Sequence, residues 1–208
     1  MFSRPFLLIL IAVTPYVYGQ CNPVTLRNCY NAYLANYKLS TTRFPQYRLY
    51  DNAKENYLNR TGLGAQINIC KWHRKFEECL GTTVYACINR ATLSSKLGIF
   101  FHDATSYHTQ FHIMSYQCGE GYKVATKHFF CMRSVPKLYI GELKACAETL
   151  GFAIDGQYEC SYYNDFINCA RRVYSNECGQ EVSKYVCNVE KVLFSVNDHK
   201  CSSSLLRC

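Results

Sequence analysis

The sequence lacks several patterns by which common classes of protein are recognised. It has no long apolar run after the one between Phe6 and Val13, so no membrane-spanning helix is predicted in the rest of the chain. It contains no C-x-x-C pair, which argues against a thioredoxin-type exchange centre and against a zinc knuckle. It has no G-x-S-x-G motif, the usual setting of a nucleophilic serine. We therefore predict that the chain is not an enzyme and needs no cofactor.

Alternating apolar and polar residues, which are typical of half-buried strands, are also scarce. Apolar residues instead recur every three or four positions, as on one face of a helix. Asp103 is a candidate N-cap, and Gly151 and Gly179 are candidate helix stops. The pattern predicts an all-α protein with four clear apolar faces: Leu26, Cys29, Tyr30, Tyr33, Leu34 and Tyr37; Leu63, Ile67, Cys70 and Phe76; Ala104, Tyr107, Phe111, Met114 and Cys118; Val182, Tyr185, Val186, Val189, Leu193 and Val196.

The first 19 residues have the composition of a secretory signal peptide. Arg4 supplies a short basic region, an apolar run follows, and Val17 and Gly19 occupy suitable positions before a cleavage site. The run is too short for a membrane span, and Pro15 interrupts it. We predict cleavage after Gly19 and a secreted chain that forms a single disulfide-rich helical region over residues 20–208.

The chain has 14 cysteines, and all of them lie after the predicted cleavage site. An even number in an oxidising compartment predicts seven disulfides and no free thiol. The partners of each cysteine are left open, because so many pairings are possible. The predicted bridges involve Cys21, Cys29, Cys70, Cys79, Cys87, Cys118, Cys131, Cys146, Cys160, Cys169, Cys178, Cys187, Cys201 and Cys208.

Several cysteines follow one another at intervals of nine residues, from Cys160 to Cys187. Nine residues turn a helix through about 900°, which places successive cysteines on opposite sides. Two such cysteines cannot pair within one helix, so the spacing predicts a helix that is stapled to a different neighbour on each side. Similar cysteine gaps early and late in the chain also suggest a duplication, with halves at residues 20–117 and 118–208.

The formal net charge is +8, and +7 once Arg4 leaves with the signal peptide. This mild excess in an exported protein does not indicate a nucleic-acid binder, and acidic glycans are the more natural charged partners. A possible glycan-binding surface is Lys71, Trp72, Arg74 and Lys75, which combines cations with the only tryptophan. The alternative is a solvated helix face with Trp72 packed inside. The sequon Asn59-Arg60-Thr61 predicts a glycosylated, exposed Asn59.

His108 and His112 are the strongest candidates for a metal site. They lie one helical turn apart, which suits two zinc ligands. A zinc protease of the H-E-x-x-H type needs a glutamate after the first histidine, and Thr109 occupies that position. The histidines can equally occupy the polar side of an ordinary helix, and an extracellular binding protein is expected to expose them. We predict no metal site.

The cysteine pattern resembles that of a known group. The spacings C-x7-C near the start and C-x8-C later, followed by Cys178-Gly179 and Tyr185-Val186-Cys187, are similar to those of secreted cysteine-rich nematode domains that include chondroitin-proteoglycan-like core proteins. The resemblance implies an extracellular, disulfide-bonded helical protein with no established catalytic activity. The chain contains no Ser-Gly dipeptide, the usual acceptor for a glycosaminoglycan chain.

These observations predict an extracellular binding or structural protein that acts on a protein or an acidic glycan. Two alternatives stay open. One is a secreted metal-dependent enzyme that uses His108 and His112. The other is a carrier of small apolar ligands, which requires an interior cavity lined by some of the 18 tyrosines.

Overall fold

A computed structural model of the chain describes residues 20–155 and 159–208, with side chains described outside residues 151–155. The predicted signal peptide, residues 1–19, lies outside the described residues. Within these ranges the chain is helical without a β-strand, which confirms the all-α prediction, and no helix there is long and apolar enough to cross a membrane. The helices are α1 (Pro23–Ala35), α2 (Tyr47–Thr61), α3 (Leu63–Leu80), α4 (Val84–Cys87), α5 (Arg90–Leu97), α6 (Phe101–Cys118), α7 (Tyr122–Lys127), α8 (Phe129–Leu138), α9 (Ile140–Asp155), α10 (Ser161–Cys178) and α11 (Gln180–Asn197), with 3-10 turns at Gly81–Thr83 and Ser202–Ser204.

The cysteines form two separate sets of bridges. All of them are paired, which confirms the seven predicted disulfides. We call residues 21–118 the N-terminal unit and residues 131–208 the C-terminal unit, because no bridge joins one to the other. The N-terminal unit contains Cys21–Cys87, Cys29–Cys79 and Cys70–Cys118, and the C-terminal unit contains Cys131–Cys178, Cys146–Cys169, Cys160–Cys201 and Cys187–Cys208.

One helix in each unit shows why cysteines stand nine residues apart. In α3, Cys79 is bonded to α1 and Cys70 is bonded to the end of α6. In α10, the cysteines at 169 and 178 are bonded to α9 and α8. Each of these helices is therefore held between two neighbours from opposite sides, as the half-turn geometry of a nine-residue step predicts.

The bridges do not repeat along the chain in the way that the cysteine gaps do. Cys29 pairs with Cys79, whereas the positions about 90 residues later, Cys118 and Cys169, have other partners. Because Cys118 is bonded to Cys70, the covalent division falls after Cys118 and not before it. The duplication itself stays a prediction.

Aromatic rings fill the core of the N-terminal unit. Tyr30 from α1 meets Phe76 from α3 at a ring-centroid distance of 4.6 Å, and Tyr107 from α6 at 5.9 Å. The Tyr33 and Tyr50 hydroxyls are 2.8 Å apart, so each buried hydroxyl has a hydrogen-bond partner. Burial raises the pKa of both phenols. The buried hydroxyls of Tyr33 and Tyr50 are therefore uncharged and hydrogen-bonded, so their rings can pack in the core.

The C-terminal unit is built around the pair α10 and α11, with α8 and α9 also packed against α10. Its buried side chains form small separate groups. One contains Ile167, Phe194 and Leu205, and another contains Val135, Cys146 and Val173. Cys187–Cys208 lies within the first group and Cys146–Cys169 within the second, so each small group is reinforced by a bridge of its own.

The two units meet mainly where α6 packs against α11. Polar contacts cross the same boundary. Thr109 donates a hydrogen bond to Asn197 Oδ1 at 3.0 Å, and Arg133 forms an ion pair with Glu55 at 2.7 Å. Besides the backbone that connects them, the units are therefore held together by side-chain packing, hydrogen bonds and an ion pair, without a disulfide between them.

The structure differs from the sequence predictions at Asp103, Gly151 and Ile67 and agrees with them at Gly179. Asp103 was expected to cap its own helix, but α6 begins two residues earlier, and the Asp103 carboxylate accepts from Tyr47 N at 3.0 Å, so it caps α2. Gly179 ends α10 with a φ of 90°, as expected, whereas Gly151 lies within α9. Ile67 is 43% exposed because the buried face of α3 is centred on neighbouring positions such as Ile69.

Candidate ligand cavity between the two units

A cavity of about 280 Å³ lies between the units. Helices α2, α3 and α6 of the N-terminal unit form one side, and α7, α8, α10 and α11 form the other. Such a place between two bodies is where small-molecule sites commonly occur. The walls are largely apolar and include Leu58, Ile69, Met114, Phe129, Val186 and Val189.

The helical repeat explains why these side chains converge. On α11, Val182, Val186 and Val189 follow one another at steps of four and three, and the first two are buried. Glu190 lies four residues after Val186, so it shares the same side of the helix. The apolar stripe that packs α11 against the rest of the protein thus carries one carboxyl group into the cavity wall.

Glu190 is the unusual group of this site. The residue as a whole keeps some exposure, but its Oε2 reaches no solvent and has no hydrogen-bond partner. Burial raises its pKa from the ordinary value of 4.5 to about 7. The carboxyl group is therefore largely protonated below neutral pH, and a fixed donor nearby would stabilise its charged form.

The cations along the cavity are already paired. Lys54, which is 8% exposed, lies 2.9 Å from the Asp51 carboxylate. Arg133 binds Glu55 at 2.7 Å, and its other terminal nitrogen donates to Asn59 Oδ1 at 2.7 Å. Of the charged residues that the structure describes along the cavity, Glu190 is the one with an unpartnered atom.

Two tyrosines complete the surroundings of Glu190. Tyr174 on α10 and Tyr185 on α11 both line the cavity. Burial raises the pKa of Tyr174, and the nearby Glu190 charge raises it further. Burial likewise raises the pKa of Tyr185. Both phenols are therefore neutral at physiological pH, and the Tyr185 hydroxyl is hydrogen-bonded to Gln117.

The predicted histidine pair forms, but in a different setting from the one expected. His108 and His112 lie with their Nε2 atoms 3.2 Å apart, and His108 is 8% exposed instead of facing solvent. Burial, with the neighbouring His112, lowers the pKa of His108 to about 4. His199 lines the same surface depression, yet the described residues contain no group of three or more side chains placed to hold a metal ion.

The predicted glycan-binding residues lie together on α3. Lys71, Arg74 and Lys75 are exposed. Trp72 is half-buried, and one face of its indole is stacked on Tyr57 at a centroid distance of 5.2 Å. That face is not free to stack on a sugar, so the contact with an acidic glycan would depend chiefly on the cations, and it stays a prediction.

Asn59, the predicted glycosylation site, is exposed in the last turns of α2. Its side-chain oxygen is bound by Arg133, and the amide nitrogen is the atom to which a glycan would be attached. An exposed position is what the sequon requires. Glycosylation itself stays a prediction.

Sequence reasoning missed Glu190 and the cavity. Six of the tyrosines that suggested a ligand cavity instead pack against one another in the N-terminal unit: Tyr30, Tyr33, Tyr37, Tyr47, Tyr50 and Tyr107. The usable signal was a single carboxylate within an apolar helical stripe, between Val189 and Leu193. Its significance depends on the helices that close over it, which no local pattern reveals.

No protein-family model, curated protein or solved structure shows a significant match to this chain. The comparisons therefore bring no evidence on the resemblance to secreted nematode domains, which stays a prediction. Only the fold and the geometry of the cavity bear on function.

Proposed function

We propose that the chain is an extracellular binding protein that holds a small, mostly apolar ligand in the cavity between its two units. The observation that carries this proposal is the cavity itself, whose apolar walls come from both units and surround one buried, unpartnered carboxyl oxygen. The disulfide-rich helical fold is compatible with a secreted protein. Of the alternatives open from the sequence, the carrier of small apolar ligands has the most structural support.

The volume of the cavity limits the ligand. A void of about 150 Å³ is sufficient for benzene, and typical small-molecule sites begin at about 300 Å³. The cavity of about 280 Å³ therefore suits a single ring or a branched alkyl group with one substituent. A lipid chain of ordinary length would not fit inside it.

The arrangement of the bridges supports a preformed site. Each wall belongs to a unit that is cross-linked on its own, so neither wall can relax far into the void. Preorganisation of this kind reduces the entropy that is lost on binding. The absence of a bridge between the units leaves the packing of α6 against α11 free to adjust around a ligand.

Toluene binding tests this proposal, because toluene is an apolar probe of suitable size. The purified secreted protein should show a higher Tm in saturating toluene, since a ligand that binds only the folded state stabilises it. Val189→Trp should remove the shift by filling the cavity that Val189 lines. No shift with the native chain, or an equal shift with Val189→Trp, would contradict the proposal.

The matched control is Val192→Trp. Val192 lies on the same helix, is also half-buried, and lines a separate open depression of about 370 Å³ that has room for a larger side chain. This variant should keep the toluene shift. Far-UV circular dichroism of both variants establishes that each is folded before their shifts are compared.

A further inference from the structure

We propose that the ligand of this cavity is an amine, with a protonated nitrogen that binds the Glu190 carboxylate and an apolar body that fills the remaining space. This inference rests on the proposed function, and it adds the chemical class of the ligand. It starts from Glu190, which lines the cavity and whose Oε2 has no hydrogen-bond donor. That oxygen is closed off in the ligand-free protein, so an ammonium group reaches it only when the side chain turns toward the cavity.

A buried carboxylate oxygen without a donor is unfavourable, because its lost hydration is not replaced. An ammonium group would supply both a hydrogen bond and an opposite charge. Such charge-assisted hydrogen bonds are roughly twice as strong as neutral ones. An alcohol would supply the hydrogen bond alone, so an amine gains more from the same position.

The other charges of the cavity argue against an anionic ligand. Lys54 is bound to Asp51 and Arg133 is bound to Glu55, so both cations already have a partner. A carboxylate ligand would have to compete for them while lying near Glu190. For a cationic ligand, the charges of Lys54 and Arg133 are largely offset by Asp51 and Glu55, so their repulsion of an ammonium group is weakened.

The aromatic lining favours the same class of ligand. Tyr174 and Tyr185 contribute neutral rings to the wall that holds Glu190. A cation close to a ring face gains about 0.5–2 kcal/mol, with the larger values in desolvated sites. Tyr174 lines the same cavity as Glu190, and the Glu190 charge raises the pKa of its phenol.

Amine binding should depend on pH. The charged or titratable groups along the cavity are Lys54 and Glu55 of α2, Arg133 of α8, Tyr174 of α10, and Tyr185 on α11 itself, and the parts of α3, α6 and α7 that line it contribute none. Glu190 has a pKa of about 7. Below this pH the carboxyl group must lose its proton when an ammonium binds, so affinity should fall by about tenfold per pH unit.

Four probes with the same apolar body test the inference: toluene, benzyl alcohol, benzoate and benzylamine. Calorimetry at about pH 8 should show benzylamine binding the native protein about tenfold or more tightly than toluene or benzyl alcohol, with benzoate the weakest. The advantage of benzylamine should shrink as pH falls toward 5, where it still carries its charge but Glu190 is protonated.

Glu190→Gln keeps the shape of the side chain and removes its charge. The variant should lose both the preference for benzylamine and the pH dependence, and should still bind toluene. The control is Glu181→Gln, on the same helix but half a turn away in phase, where an exposed carboxylate pairs with Lys127. It should behave as the native protein does.

The outcomes separate the two proposals. If toluene binds but benzylamine binds no more tightly, or if Glu190→Gln keeps the preference, the amine inference is wrong and the ligand cavity stands. A preference for benzoate would assign the polar end of the ligand to Lys54 and would also overturn the inference. If none of the four probes binds, the proposed function fails together with it.

Discussion

The N-terminal unit buries one continuous cluster of aromatic and aliphatic side chains, whereas the buried side chains of the C-terminal unit are divided among three small groups, one of which also includes Ala125 of α7. The first unit has three disulfides that link residues 48 to 66 positions apart. The second has four, which link residues 21 to 47 positions apart. A small helical body with little core needs covalent links to remain folded, and this difference shows where the chain relies on them.

Reduction of the disulfides should have the largest effect and should break the C-terminal unit first. Removal of one native bridge typically costs about 2–5 kcal/mol, and the C-terminal unit has less buried apolar surface to offset it. Limited proteolysis during stepwise reduction, with the cut sites identified by mass spectrometry, measures the order of loss. The first cuts should lie within residues 131–208.

Helicity followed in the same samples serves as the control, because it reports the whole chain. It should fall in two stages, with the aromatic N-terminal unit as the later one. First cuts within residues 21–118, or full helicity and protease resistance after complete reduction, would contradict this account of the two units.

The covalent framework could be predicted in outline from the sequence. An even cysteine count implied full pairing, and the nine-residue step implied that α3 and α10 are each stapled on both sides. The cysteine pairs themselves could not be predicted. Helical periodicity indicates on which side of its helix a cysteine lies, but it does not indicate which other helix packs against that side. Cys118 shows this, since its partner is Cys70 in its own unit and not a cysteine of the half to which it was assigned.

Buried residues were predicted correctly where apolar residues recur regularly along a helix. They were missed where burial depends on contacts with other helices. All six residues proposed for the apolar face of α1 and its extension to Tyr37 are buried. His73 is also buried, because Ser115 and Glu77 bind its ring nitrogen at 3.0 and 3.2 Å. Phe44, which lies between α1 and α2, reaches the core against Tyr30. Ser115 lies on a different helix from His73, and Tyr30 lies on α1, outside the segment that holds Phe44, so local patterns do not reveal these contacts.

A pair of core substitutions sharpens the comparison between the units. Phe76→Ala in the N-terminal unit should lower the free energy of unfolding by about 3–5 kcal/mol, because it opens a cavity among well-packed rings. Phe76 is 4% exposed and contacts both Tyr30 and Tyr33. Urea denaturation with intact disulfides gives the value.

Phe194→Ala is the matched substitution in the C-terminal unit. Phe194 is 8% exposed and stacks on Tyr163 at a centroid distance of 4.3 Å, within a small group near the surface. Its loss should cost roughly half as much, since fewer neighbours lose contacts and the bridges hold them in place. An equal or larger cost than that of Phe76→Ala would show that the C-terminal unit has an effective core of its own.

The smallest effect concerns two titratable groups on the helices that join the units. Burial raises the pKa of Glu190 on α11 to about 7, so its contribution to stability is fully present below the unfolded value of 4.5 and is lost as pH rises through 7. Burial lowers the pKa of His108 on α6 to about 4, so its contribution is present above 6.5 and is lost as pH falls through 4. The two changes oppose each other and overlap between about pH 4.5 and 6.5.

Because the effects of Glu190 and His108 oppose each other, the free energy of unfolding should change little with pH in the native chain. It should change more in a variant that lacks one of the two groups. From about pH 4.5 to 7, Glu190→Gln should gain roughly 1–3 kcal/mol of unfolding free energy relative to the native chain, because the variant has no proton to lose. His108→Gln should lose a similar amount relative to the native chain over the same range, since the stabilisation that His108 provides above its pKa is missing. Urea denaturation at several pH values measures both differences, and comparison with the native chain cancels the other titrating groups. Parallel pH profiles for the native chain and Glu190→Gln would show that Glu190 titrates normally, and the carboxyl group would then have a donor or water that the cavity geometry does not include.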